Sequence, residues 1–183
     1  QILLGYIRGK YGAERVLPIT GSIAFEQTYG EIDGDSASSA ELYALLSSLA
    51  GVPIDQGLAV TGSIDQRGEV QAVGGVTQKV EGFYRVCVSQ GLNGRQGVLI
   101  PKANINNLVL NDEVIDAVKA SKFHLYAVSH IEEGVELLTN IEVGKADTEG
   151  NYETGTLNYL IHQSLDAFSS RLAPPQRTGS TGV

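Results

Sequence analysis

The sequence contains neither methionine nor tryptophan, and Cys87 is its only cysteine. A single cysteine cannot form an intrachain disulfide, and its place between Val86 and Val88 predicts a buried structural thiol. No segment approaches the roughly 20 apolar residues that span a bilayer, and the N-terminus lacks the pattern of a signal peptide. These absences predict a cytoplasmic protein. A chain without methionine that starts at Gln1, within an apolar segment, is expected to be part of a longer protein.

Basic residues are also scarce, since 13 lysines and arginines stand against 21 aspartates and glutamates, for a formal net charge of −8. Such a chain repels phosphate groups, which argues against nucleic acid and membrane surfaces as partners. With 42% hydrophobic and 19% charged residues, the composition is that of a folded protein with a core. We expect one domain over residues 1–172 and a disordered tail over residues 173–183, where periodicity is lost.

Apolar periodicity and glycine or proline breaks predict alternating helices and strands. The predicted helices are Gln1 to about Lys10, Ser36 to about Ala50, Val76 to about Gly91, a helix containing Val114–Val118, and Thr156 to Leu172. The predicted strands are Ile19–Thr28, Gly57–Ile64, Val70–Val73, Gly97–Ile100 and Leu125–Val128. This order indicates an α/β fold built from α+β layers.

The helix that starts near Ser36 is the most regular element of the sequence. Asp35 precedes it as a candidate N-cap, which would leave Ser36 among free backbone N–H groups in the first turn. The helix covers roughly 22 Å, and a strand of about seven residues that returns antiparallel covers about the same length. The spacing therefore predicts that Thr61 and Gly62 lie level with Ser36.

Lys79 lies at the edge of the apolar stripe of the next helix, between Val76 and Phe83, so we expect it to be partly removed from water. A lysine in such a place could serve as a base for a serine hydroxyl group. The pattern alone is weak, because serines are common here and a lysine on a helix edge is usually a surface residue.

Three sequence segments together make the pattern specific. They are Asp33-Gly34-Asp35-Ser36-Ala37-Ser38, then Thr61-Gly62-Ser63 with Arg67-Gly68-Glu69-Val70, and then Val73-Gly74-Gly75-Val76-Thr77-Gln78-Lys79. In order and spacing they resemble the proteolytic domain of Lon proteases, from about Ser22 to Leu138. The resemblance implies a ribosomal-protein-S5-domain-2-like fold and a Ser–Lys dyad.

In that dyad Ser36 is the nucleophile, Lys79 is the general base and Thr61 holds the lysine ammonium group. Backbone N–H groups near Ser36 would stabilise the oxyanion. Asp35 is either a gate that can pair with Lys79 or a simple N-cap.

The motifs look closest to the B-type and bacterial Lon-related proteins, and Ser63 stands where the A-type commonly has glutamate. The resemblance further implies unfolded or damaged proteins as substrates and a homo-oligomer, a six-membered ring. It also implies an ATPase region, with ATP and magnesium, outside this chain, because no Gly-x-x-x-x-Gly-Lys-Ser/Thr motif occurs here. From the same resemblance, we expect the opening strands of the family's domain to be missing from this chain.

Two rival functions remain open. The first is a Lon-like module that has lost catalysis and serves in assembly or partner binding, although such modules usually lack the serine and lysine together. The second is a relative of small-molecule kinases, which the aspartate in the Gly34-Asp35-Ser36 loop disfavours because it would repel phosphate. His124, His130 and His162 have no metal-like spacing and are expected to be surface or packing residues.

Overall fold

The computed structural model describes residues 1–12, Ile23 and residues 35–172. Apart from Ile23, the predicted strand at residues 19–28 lies outside the described residues, as does the predicted tail at residues 173–183. The described part has the predicted mixed α/β fold. None of its helices has the length and apolar character needed to cross a membrane.

Helices and strands follow one another in the order that the sequence predicts, with two additions. The helices are α1 (Ile2–Tyr11), α2 (Ser38–Ala50), α3 (Val76–Gln90), α4 (Asp112–Lys119), α5 (Ile131–Thr139) and α6 (Leu157–Leu172), with a 3-10 helix at Lys102–Asn107. The strands are β1 (Leu58–Val60), β2 (Ser63–Ile64), β3 (Val70–Gln71), β4 (Gly97–Pro101) and β5 (His124–Val128). Helix α5 and the 3-10 helix were not predicted.

Two small sheets organise the strands. β1, β4 and β5 form a parallel sheet with β4 at its centre, and Gly97 pairs with both Leu58 and His124. β2 and β3 form an antiparallel pair. The predicted single strand Gly57–Ile64 is therefore wrong, because the chain leaves the first sheet after Val60 and joins the second at Ser63.

The central strand β4 separates two hydrophobic clusters. Leu99 belongs to the cluster formed with α1, α2, α5 and α6, whereas Val98 and Ile100 belong to the cluster formed with α3 and α4. Because successive side chains of a strand point to opposite faces, helices cover both faces of the sheet at β4. Cys87 lies in the second cluster and is 5% exposed, which confirms the predicted buried thiol. Burial raises the pKa of this thiol.

Helix α2 has an apolar face on which Leu42, Leu46 and Leu49 are buried. It ends at Gly51, whose φ of 67° is the left-handed conformation that glycine adopts without a steric penalty. It begins at Ser38, not at Ser36, and Ala37 is the N-cap residue. The nucleophile candidate therefore lies in the turn before the helix, and the prediction that places it in the first helical turn is wrong.

Candidate active site

Asp35 does not cap helix α2. The N-cap residue is Ala37, which makes no side-chain cap hydrogen bond. The Asp35 carboxylate instead accepts a hydrogen bond from the hydroxyl group of Ser63, with 2.7 Å between Ser63 Oγ and Asp35 Oδ2. The backbone carbonyl of Asp35 accepts a hydrogen bond from the Ser38 N–H at the helix start, at 2.9 Å. The N-cap interpretation is therefore wrong, and Asp35 is an exposed carboxylate held by a buried serine.

Gly62 ties the Ser36 turn to the segment between β1 and β2. Its N–H donates to the Ser36 carbonyl oxygen at 3.0 Å, and its own carbonyl oxygen accepts from the Ser39 N–H at 3.2 Å. A Cβ atom at this position would lie 3.2 Å from both Ser39 Oγ and Val70 Cγ1, so a larger residue would require these side chains to shift by a few tenths of an ångström. The predicted placement of Gly62 level with Ser36 is confirmed.

Thr61 contacts the side chain of Lys79. Lys79 Nζ donates a hydrogen bond to Thr61 Oγ1 at 3.1 Å, as the resemblance implies. Thr61 is itself fixed, because it is 6% exposed and its N–H donates to the Leu99 carbonyl oxygen at 3.1 Å in the central strand. One continuous run, Thr61 and Gly62, thus contacts both the candidate base and the backbone of the candidate nucleophile.

Lys79 is an exposed residue as a whole, but its Nζ reaches the buried hydroxyl group of Thr61. It lies in the first turn of α3, where its N–H donates to the Gly75 carbonyl oxygen at 3.0 Å. Its apolar neighbours Val76 and Val80 belong to the second cluster, whereas Lys79 itself is exposed.

The serines after Ser36 have different environments. Ser38 Oγ accepts a hydrogen bond from the Ile64 N–H at 3.1 Å and so joins the helix start to β2. Ser39 is 1% exposed, and within the described residues its hydroxyl oxygen has no hydrogen-bond partner. Sequence reasoning did not identify Ser39, because the sequence does not show which residues its side chain contacts.

Backbone N–H groups at the turn are only partly available for an oxyanion. Those of Ser38 and Ser39 donate to the carbonyl groups of Asp35 and Gly62. Those of Ser36 and Ala37 donate to no other backbone group in the part of the chain that is described. Within the described residues, these two are therefore the candidate N–H groups of the turn for binding a substrate oxygen.

Two of the three histidines, His124 and His130, make hydrogen bonds away from the Ser36 turn, and the described residues form no metal centre. His124 Nε2 lies 2.8 Å from the Gly94 carbonyl oxygen. His130 is the N-cap of α5, where its Nδ1 accepts from the Glu132 N–H at 3.2 Å. Across residues 1–12, 23 and 35–172, no group of three His, Cys, Asp or Glu residues is arranged to hold a metal ion.

Comparison with known proteins gives a consistent result. The sequence profile of the Lon protease (S16) C-terminal proteolytic domain matches residues 29–144. The chain is 45% identical over 141 residues to a Lon protease homolog of Escherichia coli, which covers 77% of this chain and 24% of the relative. It is 45% identical over 150 residues to a Lon protease homolog of Haemophilus influenzae, covering 82% of this chain and 25% of that relative.

An archaeal Lon protease of Archaeoglobus fulgidus is 38% identical over 127 residues, which are 69% of this chain and 18% of the relative. The matches thus span about a quarter or less of the length of these curated relatives.

Proposed function

Because the chain belongs to the family of the Lon protease C-terminal proteolytic domain, we propose that it is the peptidase part of an ATP-dependent serine endopeptidase. In this proposal Ser36 is the nucleophile and Lys79 the general base. The observation that carries it is the hydrogen bond from Lys79 Nζ to Thr61 Oγ1 at 3.1 Å. The next residue, Gly62, is bonded to the backbone of Ser36.

The proposed reaction proceeds through an acyl-enzyme. Lys79, as a neutral amine, takes the hydroxyl proton while Ser36 Oγ attacks the carbonyl carbon of the peptide bond. The resulting ammonium group gives this proton to the leaving amine as the C–N bond breaks, which leaves an ester on Ser36. Water then attacks the ester, and Lys79 takes a proton from the water and returns it to Ser36 as the carboxylic acid product leaves.

Thr61 has a positioning role in this scheme. A lysine side chain in solvent samples many rotamers, and an exposed lysine such as Lys79 needs a fixed acceptor to stay near the serine. Thr61 provides it, since its own backbone is bonded to the central strand. The N–H groups of Ser36 and Ala37 are proposed to stabilise the oxyanion, an effect typically worth about 3 kcal/mol per donor.

The remaining expectations from the sequence are part of the proposal. We propose that unfolded or damaged proteins are the substrates, that the ATP- and magnesium-binding region lies outside this chain, and that the protein is cytoplasmic. We also propose a homo-oligomer, in the form of a six-membered ring. Assembly would reduce the exposure that Lys79 has in a single chain.

The competing proposal is a catalytically silent Lon-like module. The presence of Ser36, Thr61 and Lys79 together, with the last two in contact, favours the enzyme. The exposure of Lys79 is the one observation that favours the silent module. Turnover decides between the two proposals.

The test compares variants of the full-length protein that carries this chain. Cleavage of a fluorogenic peptide and of an unfolded protein, with ATP present, is measured for wild type, Ser36→Ala and Lys79→Ala. Matched controls are Ser89→Ala and Lys119→Ala, which change an exposed serine and an exposed lysine elsewhere. We expect loss of cleavage only in the first pair. A wild type without activity, or a Ser36→Ala protein that cleaves as fast, would instead support the silent module.

A further inference from the structure

The connection between β3 and α3 determines where Lys79 lies. It comprises residues 72–75, and Ala72, Gly74 and Gly75 are exposed. Gly75 has a left-handed φ of 69° and accepts the first hydrogen bond of α3, from the Lys79 N–H. Glycine restricts the backbone least of all residues, so this connection has little stiffness of its own. Its conformation must be fixed by contacts from outside.

Asn104 supplies such a contact. Its side-chain oxygen accepts a hydrogen bond from the Val73 N–H at 3.0 Å, and its side-chain nitrogen donates to the Val73 carbonyl oxygen at 2.9 Å. One amide group thus binds both backbone groups of one residue, as a neighbouring strand would. Asn104 lies in the 3-10 helix that directly follows the central strand β4. The flexible connection is therefore tied to the rigid sheet.

We propose that Asn104 is a positioning residue for Lys79, acting through Val73 and the start of α3. The inference rests on the proposed function of Lys79 as the base. From Val73 the chain reaches the lysine through Gly74, Gly75 and one helical turn. Misplacing a reacting group by about 1 Å can reduce a rate about 100-fold. Loss of the amide contact should therefore slow the chemical step more than it weakens peptide binding.

The chain offers a matched control on the same helix. Asn107 lines the same cavity of about 190 Å³ beside the start of α3, together with Gln78 and Asn104. It is exposed and makes no hydrogen bond to Val73. Asn107→Ala removes the same side-chain atoms as Asn104→Ala from nearly the same place, and leaves the contact to Val73 intact.

The test uses the full-length protein with wild type, Asn104→Ala, Asn104→Asp and Asn107→Ala. Aspartate keeps the size and the acceptor of asparagine but cannot donate to the Val73 carbonyl group, so it reports on the contact even where alanine prevents folding. The measurements are kcat and KM for a fluorogenic peptide and the rate at which a fluorophosphonate labels Ser36. We expect both Asn104 variants to lose at least about tenfold in kcat and in labelling rate, with KM changed less than about twofold.

Asn107→Ala should behave as wild type in all three measurements. The positioning role is overturned if the Asn104 variants have the same kcat as Asn107→Ala. It is also overturned if their KM changes by as large a factor as their kcat. This failure differs from a failure of the proposed function. If the proposed function fails, the wild type shows no cleavage that depends on Ser36. If only the positioning role fails, the wild type still shows that cleavage.

Discussion

Ser63 Oγ donates a hydrogen bond to Asp35 Oδ2 at 2.7 Å, and Thr61, two residues earlier, accepts one from Lys79 Nζ at 3.1 Å. Residues two apart have Cα atoms at most roughly 7 Å from each other. One short segment thus binds a carboxylate and an ammonium group with two separate hydroxyl groups. A carboxylate in direct contact with a lysine favours its ammonium form, which cannot accept a proton. Keeping the two groups on separate partners suits a lysine that acts as a base.

Ser63→Ala should therefore reduce cleavage. Without the hydroxyl group, the Asp35 carboxylate is free to pair with Lys79, and the expected loss in kcat/KM is about fivefold, equivalent to about 1 kcal/mol between partly exposed charges. Adding Asp35→Asn to Ser63→Ala should restore the rate, because the amide carries no charge. Peptide cleavage measures both effects. A double variant no faster than Ser63→Ala would contradict the gate interpretation of Asp35.

Thr61→Val should slow the chemical step of peptide cleavage without changing substrate binding. Valine has nearly the shape of threonine but no acceptor for the Lys79 ammonium group, so we expect about a tenfold loss in kcat with KM unchanged. Thr61→Ser keeps the hydroxyl group and should retain most of the activity. Steady-state kinetics of the two variants make the comparison. Equal rates for valine and serine at this position would mean that the contact at 3.1 Å does not serve catalysis.

Local pattern was sufficient to predict the elements that carry the site. The leucines of α2 and the apolar stripe of α3 recur at helical spacing, and the buried strand at Gly97 ends at proline, so each could be placed from its own residues. The signal for α5 was present as well and was missed. Ile131, Val135 and Leu138 are buried at helical spacing, and Asn140 ends the helix with a left-handed φ of 56°.

The resemblance implied the contact between Lys79 and Thr61, but other contacts at the site could not be predicted from the residues, because they depend on distant partners. The pattern of Gly57–Ile64 suggests one strand, yet Gly62 bonds to the Ser36 turn instead of to a sheet. Asp35 precedes a helix as N-caps do, but Ser63, far along the chain, takes its carboxylate. The apolar neighbours of Lys79 predict its position on helix α3, but they do not predict how exposed its side chain is.

Asp55 gives a pH dependence of stability that can be measured. The N–H of Gly57, at 2.8 Å, and the guanidinium of Arg95 lower the pKa of Asp55 below its ordinary value of 3.8. The ionised carboxylate therefore stabilises the fold above that value, and its contribution is lost as the pH falls through the lowered pKa. In urea unfolding, the stability difference between wild type and Asp55→Asn should be constant at neutral pH and shrink below about pH 4. A difference independent of pH would contradict the assignment.

Tyr43 and Tyr11 should respond in opposite directions to loss of the hydroxyl group. Tyr43 is 1% exposed, and its hydroxyl group has no hydrogen-bond partner among the described residues. Burial raises its pKa, so the group stays neutral. A buried hydroxyl group without a partner is destabilising, and Tyr43→Phe should leave stability unchanged or increase it by about 1 kcal/mol.

Tyr11 is the matched control, since its buried hydroxyl group donates to Asn158 Oδ1 at 2.6 Å. Tyr11→Phe removes that bond and leaves the Asn158 oxygen unpaired, which should cost about 1 to 2 kcal/mol. Urea unfolding of both variants gives the comparison. A clear destabilisation by Tyr43→Phe would show that the hydroxyl group has a partner, such as a buried water molecule or a residue outside the described ranges.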